Sequence, residues 1–295
     1  MENKKIIYAL GFFDGVHLGH QALLKACREL AEQTGNAPGV LTFQGHPEQT
    51  LRGKAPALIN TDRDKTGLLE GFSVPNVFSL PFDRALMNTH WSAFLAQLVE
   101  KDAGGFVCGS DFRFGAGGCG TAKKLEAFCK KRGLPCAIVP QQLLEGLRVS
   151  STHIRALLEQ GKMEEAGRFL GQPHILSGQV QEGKQLGRTL GFPTANIAYP
   201  AELVQLPRGV YVCKVFVDGD LYAGVTNIGT RPTVDGAEVN VETHLMNFAG
   251  DLYGKEITIA FYSFLRPEQK FSSLPELQEE IQKNITQTRN FFEKK

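Results

Sequence analysis

No charge of one sign dominates this chain: 32 Lys and Arg stand against 31 Asp and Glu over 295 residues, a formal net charge of +1. Nucleic acids and anionic membranes are held by an excess of basic residues, so the balance argues against both and toward small-molecule partners. No apolar run approaches the ~20 residues that a membrane-spanning helix needs. The opening stretch, MENKKIIYALGFFDG, lacks a full apolar signal region and a small-residue cleavage site, so export is not expected and a cytoplasmic location is. Cysteine is sparse, and Cys27, Cys108, Cys119, Cys129, Cys136 and Cys213 include no CxxC pair. Reduced thiols in a cytosolic protein fit this better than a disulfide framework. Internal repeats and low-complexity tracts are absent, and nothing specifies an oligomeric state.

What is present is enough apolar material for two ordinary cores, at 42% hydrophobic residues. Short apolar runs at Ile6 to Leu10, Val40 to Phe43, Val74 to Leu80, Gly105 to Gly109 and Cys136 to Val139 alternate with helical patterns at His20 to Gln33, Trp91 to Val99 and Thr121 to Lys131. That rhythm predicts βαβ units and a mainly parallel sheet. Ser151 to Gln160 and Lys162 to Leu170 read as two short helices. Beyond Gly171 the pattern turns to β, at Ile175 to Val180, Gly209 to Val217, Leu221 to Ile228, Glu238 to Leu245 and Glu256 to Phe264, with Asp218-Gly219 suited to a tight hairpin. The expectation is an α/β domain over 1–171, then a small antiparallel β-barrel over 172–295 closed by a helix from about Leu274 to Phe292.

The segment GFFDGVHLGH carries the most chemistry. It joins a predicted strand to a predicted helix, and Gly11, Gly15 and Gly19 allow close ligand approach around Asp14. His17 and His20 can aim ring N–H groups at an anion already favoured by a helix N-terminus. A nucleoside triphosphate suits such a turn. Two alternatives stay open, a zinc pair short of a third ligand and a pair of helix caps.

Two glycine patterns match well-known signatures without their context. Gly115, Gly117 and Gly120 spell GxGxxG, but five residues separate them from the strand end and no acidic residue follows at the right distance. Gly178 to Lys184 spells GxxxxGK, with Gln185 where a hydroxyl should meet magnesium. Gly183 can still lie over phosphates in another fold. Ser110 to Gly115 offers Asp111, Arg113 and two aromatic rings for a flat heteroaromatic ligand, or simply alternating core residues at Phe112 and Phe114. Ser151, Thr152 and Arg155 can gather a triphosphate or merely cap a helix. His46 reads as a surface or capping residue. In the second half, Gly187 leads into Thr194 and Asn196, two oxygen-bearing side chains that suit magnesium with ATP phosphates or serve turn chemistry. Glu242 alternates with apolar neighbours and reads either as a solvated strand residue or as a proton acceptor beside a nucleotide.

In order along the chain, GFFDGVHLGH, GSDFRFG, SSTHIR, LGRTLGFPTAN, TNIGTRPT, ETHL and LRPEQKF resemble the bacterial bifunctional riboflavin kinase and FMN adenylyltransferase family, over nearly the whole chain. The resemblance implies an N-terminal α/β nucleotidyltransferase domain and a C-terminal β-barrel kinase domain. Its reactions convert riboflavin and ATP to FMN, then FMN and ATP to FAD and pyrophosphate, with Mg2+ accompanying ATP. It implies His17 and His20 on ATP phosphates, Asp111 in the flavin and nucleotide pocket, and Ser151, Thr152 and Arg155 completing the adenylyltransferase site. For the kinase it implies Thr194 and Asn196 at Mg-ATP, Glu242 as base toward the ribityl hydroxyl, and Arg266 near the flavin end. The chain departs from the family pattern at Phe12, Gln44-Gly45, Ala116 to Thr121 and Asn247. Two other readings stay open, a protein keeping one of the two activities and a flavin-binding regulatory protein.

Overall fold

Strand β1 (Ile6–Leu10) is apolar and buried at every position, as befits a central strand covered on both faces. Ile6, Tyr8 and Leu10 enter one core with Leu95, Phe106 and Leu125, while Ile7 and Ala9 enter another with Leu24, Cys27 and Leu69. The computed structural model describes residues 4–183, 187, 190–233 and 236–294. It splits into two compact units between His153 and Ile154.

In the first unit β1 is followed by α1 (Leu18–Thr34), β2 (Ala37–Gln44), α2 (Pro47–Arg52), α3 (Asp62–Gly71), β3 (Asn76–Pro81), α4 (Arg84–Asn88), α5 (Trp91–Lys101) and β4 (Ala103–Gly109). The hairpin β5 (Arg113–Phe114) and β6 (Gly120–Thr121), helix α6 (Ala122–Arg132), β7 (Cys136–Val139) and a second hairpin, β8 (Leu143–Leu144) and β9 (Leu147–Arg148), complete it. The five-stranded sheet runs β3-β2-β1-β4-β7 with every pair parallel. Strand order reverses between β1 and β4, and in such sheets ligands bind at the carboxyl ends of the strands flanking that reversal. Those two ends deliver GFFDGVHLGH and Ser110-Asp111.

Helix α7 (Ser151–Glu159) runs across the division, and α8 (Met163–Leu170) lies in the second unit. There α8 packs on β10 (His174–Gln179) and β15 (Glu256–Pro267), with Met163, Ala166, Phe169 and Leu170 buried. Between these strands come β11 (Ala195–Ala198), β12 (Gly209–Val217), β13 (Asp220–Thr233) and β14 (Gly236–Leu245), and α9 (Leu274–Glu293) follows. The antiparallel order is β10-β15-β12-β13-β14-β11. Its two edges meet where the Gln181 N–H donates to the Asn196 carbonyl at 2.8 Å, nearly closing a barrel. Asp218 and Gly219 both take positive φ, 52° and 92°, between the paired ends Val217 and Asp220, so the expected Asp-Gly hairpin turn is present.

Helix α3 and strand β11 escape the sequence reading. The former is too charged to show a clear apolar stripe. The latter has four residues, and Asn196, weighed as turn chemistry, sits on it.

Candidate active sites

The first site forms at the turn after β1. Phe13, Gly15 and Val16 all take positive φ, at 59°, 85° and 42°, and a β-branched residue there is a genuine outlier. The strain is held by neighbours. Phe13 and Val16 are wholly buried, and the buried Asp14 accepts the Ile59 N–H at 2.8 Å through Oδ1. Ser151 Oγ donates to the Asp14 carbonyl at 2.9 Å, so the start of α7 is tied to this turn. Storing strain under such anchoring is characteristic of functional turns.

His17 is the N-cap of α1 and His20 closes its first turn. A Cβ on Gly19 would lie 3.1 Å from the His17 ring, so glycine lets the imidazole lie against the helix start without the ring having to give way by a few tenths of an ångström. Burial, His17 and Lys65 push His20 well below the ordinary 6.5, so its ring is neutral near pH 7. Its buried Nδ1 has no hydrogen-bond partner among the described residues. An orphaned polar atom at a helix N-terminus fits a bound anion.

Lys65, which the sequence did not single out, is buried on α3. Its Nζ donates to Phe43 O and Asp62 Oδ1, each at 2.8 Å, and lies 4.8 Å from the centre of the Phe12 ring. Phe12 in turn meets His46 edge-on. His46 caps α2 as expected, its Nδ1 accepting the Glu48 N–H at 3.1 Å.

Asp111 follows β4 and is ion-paired with Arg148 of β9, another residue the sequence reading passed over. Phe114 is buried in the core with Phe112 packed beside it, so these rings take the structural role left open for them. The stretch Gly115 to Gly120 is a short 3-10 turn and hairpin, not a dinucleotide-binding turn. Ser151, Thr152 and Arg155 share α7, the first two in the first unit and Arg155 in the second.

The second site lies on the barrel. Asn196 of β11 sits opposite Glu242 of β14, and Asn227 of β13 sits opposite Glu242 from the other side. Asn240 Nδ2 donates to Asn196 Oδ1 at 2.9 Å and to Glu242 Oε1 at 3.0 Å. Asn240 carries no local signal of this role, since its partners are set by strand register. Gly183 lies so close that a Cβ would come 2.6 Å from Asn196 Nδ2. Gly187 accepts the Phe192 N–H through its carbonyl at 2.8 Å. Lys184 and Gln185 of the GxxxxGK pattern, with Arg188 and Thr189, lie outside the described residues.

Pro193, Thr194 and Asn196 line a cavity of about 490 Å³ with Leu245, Phe248 and Tyr253. Apolar and aromatic walls with convergent oxygens suit a heteroaromatic ring joined to a charged chain. Arg266 forms an ion pair through Nε with Glu280 at 2.9 Å and donates to Asn284 Oδ1 at 3.0 Å, which joins β15 to α9. Burial alone would raise the Glu280 carboxyl, but Asn284, Lys283 and Arg266 outweigh it and hold it below its ordinary value.

Residues 1–153 match the family model described as FAD synthetase, and residues 170–292 match the one described as riboflavin kinase. The chain is 35% identical over 298 residues to a bifunctional riboflavin kinase/FMN adenylyltransferase of Bacillus subtilis, covering 99% of this chain and 94% of that protein. It is 36% identical over 287 residues to the protein of that name from Haemophilus influenzae, covering 96% and 93%. A solved structure described as a macrolide-efflux protein from Streptococcus pneumoniae superposes with a TM-score of 0.87 at 28% identity, over 98% of this chain and 95% of that one. Among the described residues, no helix is long and apolar enough to cross a membrane.

Proposed function

The chain belongs to the bifunctional riboflavin kinase/FMN adenylyltransferase family, and we infer that it phosphorylates riboflavin with ATP to FMN and then adenylylates FMN with ATP to FAD, releasing pyrophosphate. What carries the reading is that both family models fall on one chain, each on a unit with its own polar site.

For adenylyl transfer, the FMN phosphate attacks the α-phosphorus of ATP and pyrophosphate leaves in line. His17, His20 and the N-terminus of α1 supply positive dipoles where charge grows on the α-phosphate, so the step needs positioning and electrostatics but no covalent intermediate. A neutral His20 is a hydrogen-bonding group, not a fixed cation. Ser151 and Thr152 complete the triphosphate contacts of this unit, Gly11, Asp14, Gly15 and Gly19 shape the turn, and Asp111 with Arg148 borders the flavin.

For phosphoryl transfer, Glu242 takes the proton of the terminal ribityl hydroxyl as that hydroxyl's oxygen attacks the γ-phosphorus of ATP, and the bond to the β,γ-bridging oxygen breaks to release ADP. The hydroxyl of Thr194 and the amide of Asn196 are hard, neutral oxygens beside a carboxylate, a donor set that fits Mg2+ held mainly by ATP phosphates. The ion would neutralise phosphate charge. Gly183 and Gly187 leave room for the phosphate chain, and the aromatic cavity takes the adenine. Arg266 steadies α9 near the flavin end.

Every proposed adenylyltransferase residue lies within 1–171 and every kinase residue within 172–295. A cytoplasmic location belongs to the same reading, in keeping with six free cysteines and two ATP-dependent steps. Incubation with riboflavin and Mg-ATP, followed by chromatography of the flavins, tests it: FMN and FAD are expected. FMN alone would leave a kinase, and riboflavin recovered unchanged would refute both activities.

A further inference from the structure

Alternate residues of β14 share a face, which puts Asn240, Glu242 and His244 in one row. The ladder between β11 and β14 begins at Ala195, opposite Thr243, so Pro193 and Thr194 stand just outside it. His244 extends the pairing by one step, because its Nδ1 lies 2.9 Å from the Pro193 carbonyl. A carbonyl only accepts, so the ring carries a proton on Nδ1. The flank of the same ring meets Phe192 edge-on, with centroids 5.8 Å apart. Pro193, Thr194 and Asn196 line the cavity, and His244 is not one of its lining residues.

We propose that His244 is a positioning residue for phosphoryl transfer, holding the Phe192-Pro193 backbone so that the Thr194 hydroxyl is fixed toward the nucleotide before ATP arrives. The inference rests on the riboflavin kinase reading of this unit. Proline has no N–H to tether this part of the loop, so its carbonyl is the remaining backbone handle there. Fixing the loop in advance spares the ordering cost at the moment of binding. His244 therefore acts on nucleotide use through Thr194, without touching substrate.

The test compares H244F, which keeps a ring against Phe192 but removes the donor, with H244N, whose amide Nδ2 can occupy the place of the imidazole Nδ1. Riboflavin phosphorylation by the full chain is measured at varied Mg-ATP and varied riboflavin, with FAD formation from supplied FMN as an internal control. H244F should raise KM for Mg-ATP about tenfold, the scale of one lost hydrogen bond that orders a loop, with KM for riboflavin and FAD formation near wild type. H244N should return KM to within about threefold of wild type. Should H244F lose the folding transition of its second unit, H244Q replaces it, since its donor sits one bond further out. A wild-type KM in the donor-lacking or displaced variant, or an H244N as impaired as that variant, overturns the proposal. A wild-type chain that makes no FMN defeats the kinase reading and this inference with it.

Discussion

The rings of His17 and His20 stack 3.7 Å apart and 14° from parallel, while His17 Nδ1 accepts the backbone N–H of His20 at 3.3 Å. Accepting at Nδ1 puts the proton of a neutral His17 on Nε2. The helix cap thus selects the tautomer, and one side chain serves both the fold and the presentation of a donor.

Replacing either histidine by alanine should lower FAD formation from FMN by about 10²- to 10³-fold, the usual cost of removing a preorganised donor from a developing oxyanion. Riboflavin phosphorylation by the same variants should stay near wild type, because the barrel site lies in the other unit. Separate assays with riboflavin and with FMN check this. Equal loss of both reactions in a folded variant would defeat the two-site reading.

The pH dependence of stability should show the buried His174. It is 2% exposed, and neither ring nitrogen has a hydrogen-bond partner among the described residues. Burial lowers it from 6.5 to about 4. The unfolded chain takes up this proton near pH 6.5 and the folded chain only near 4, so the unfolded state binds more protons in between. Stability is therefore full above about pH 6.5 and falls as pH drops toward 4, by roughly 2 kcal/mol at pH 5. His20 is shifted the same way and adds to the trend. H174F, which can keep the stack on Phe261, should flatten the change in urea midpoint between pH 7 and pH 5. An unchanged slope would mean that another group dominates acid sensitivity.

Fragment boundaries offer a third prediction. A fragment of residues 172–295 contains every proposed kinase residue but lacks α8, whose Met163, Phe169 and Leu170 are buried. Large apolar side chains contribute about 1.5–3 kcal/mol each when fully buried. Both 154–295 and 172–295 should make FMN and neither should make FAD, with the longer fragment melting at a clearly higher temperature. Equal melting temperatures would reduce α8 to a linker.

The legible parts of this fold are those whose partners lie close in sequence. The apolar run of β1, the helical period of α1 and the Asp218-Gly219 turn each state their structure within a few residues. Strand β11 is different, because it exists through pairing with β14 some 45 residues onward in the register of Asn196 with Glu242. The same distance hid Asn240, which bridges those two side chains, and Arg148, which meets Asp111 from another hairpin. Lys65 was hidden for a second reason. A lysine in the charged stretch DRDKTG reads as solvated, and only the carbonyl at the end of β2 and Asp62 explain its burial.

Glu242 gives the sharpest test of the kinase site. It is exposed, faces Asn196 and Asn227 across the ladder, and accepts one hydrogen bond from Asn240. Glutamine at this position can still accept that bond through its own Oε1 but cannot take a proton. E242Q should therefore lower kcat by about 10²- to 10⁴-fold, the range of general-base assistance, with little change in KM for riboflavin or Mg-ATP. T194A and N196A should act differently, raising the magnesium or ATP concentration needed, because they remove oxygen contacts at the nucleotide and leave the proton acceptor in place. Steady-state kinetics at varied Mg-ATP, supported by a single-turnover measurement of the chemical step, separates the two classes. If E242Q turns over at the wild-type rate with chemistry limiting, Glu242 is an orienting group and the base lies elsewhere.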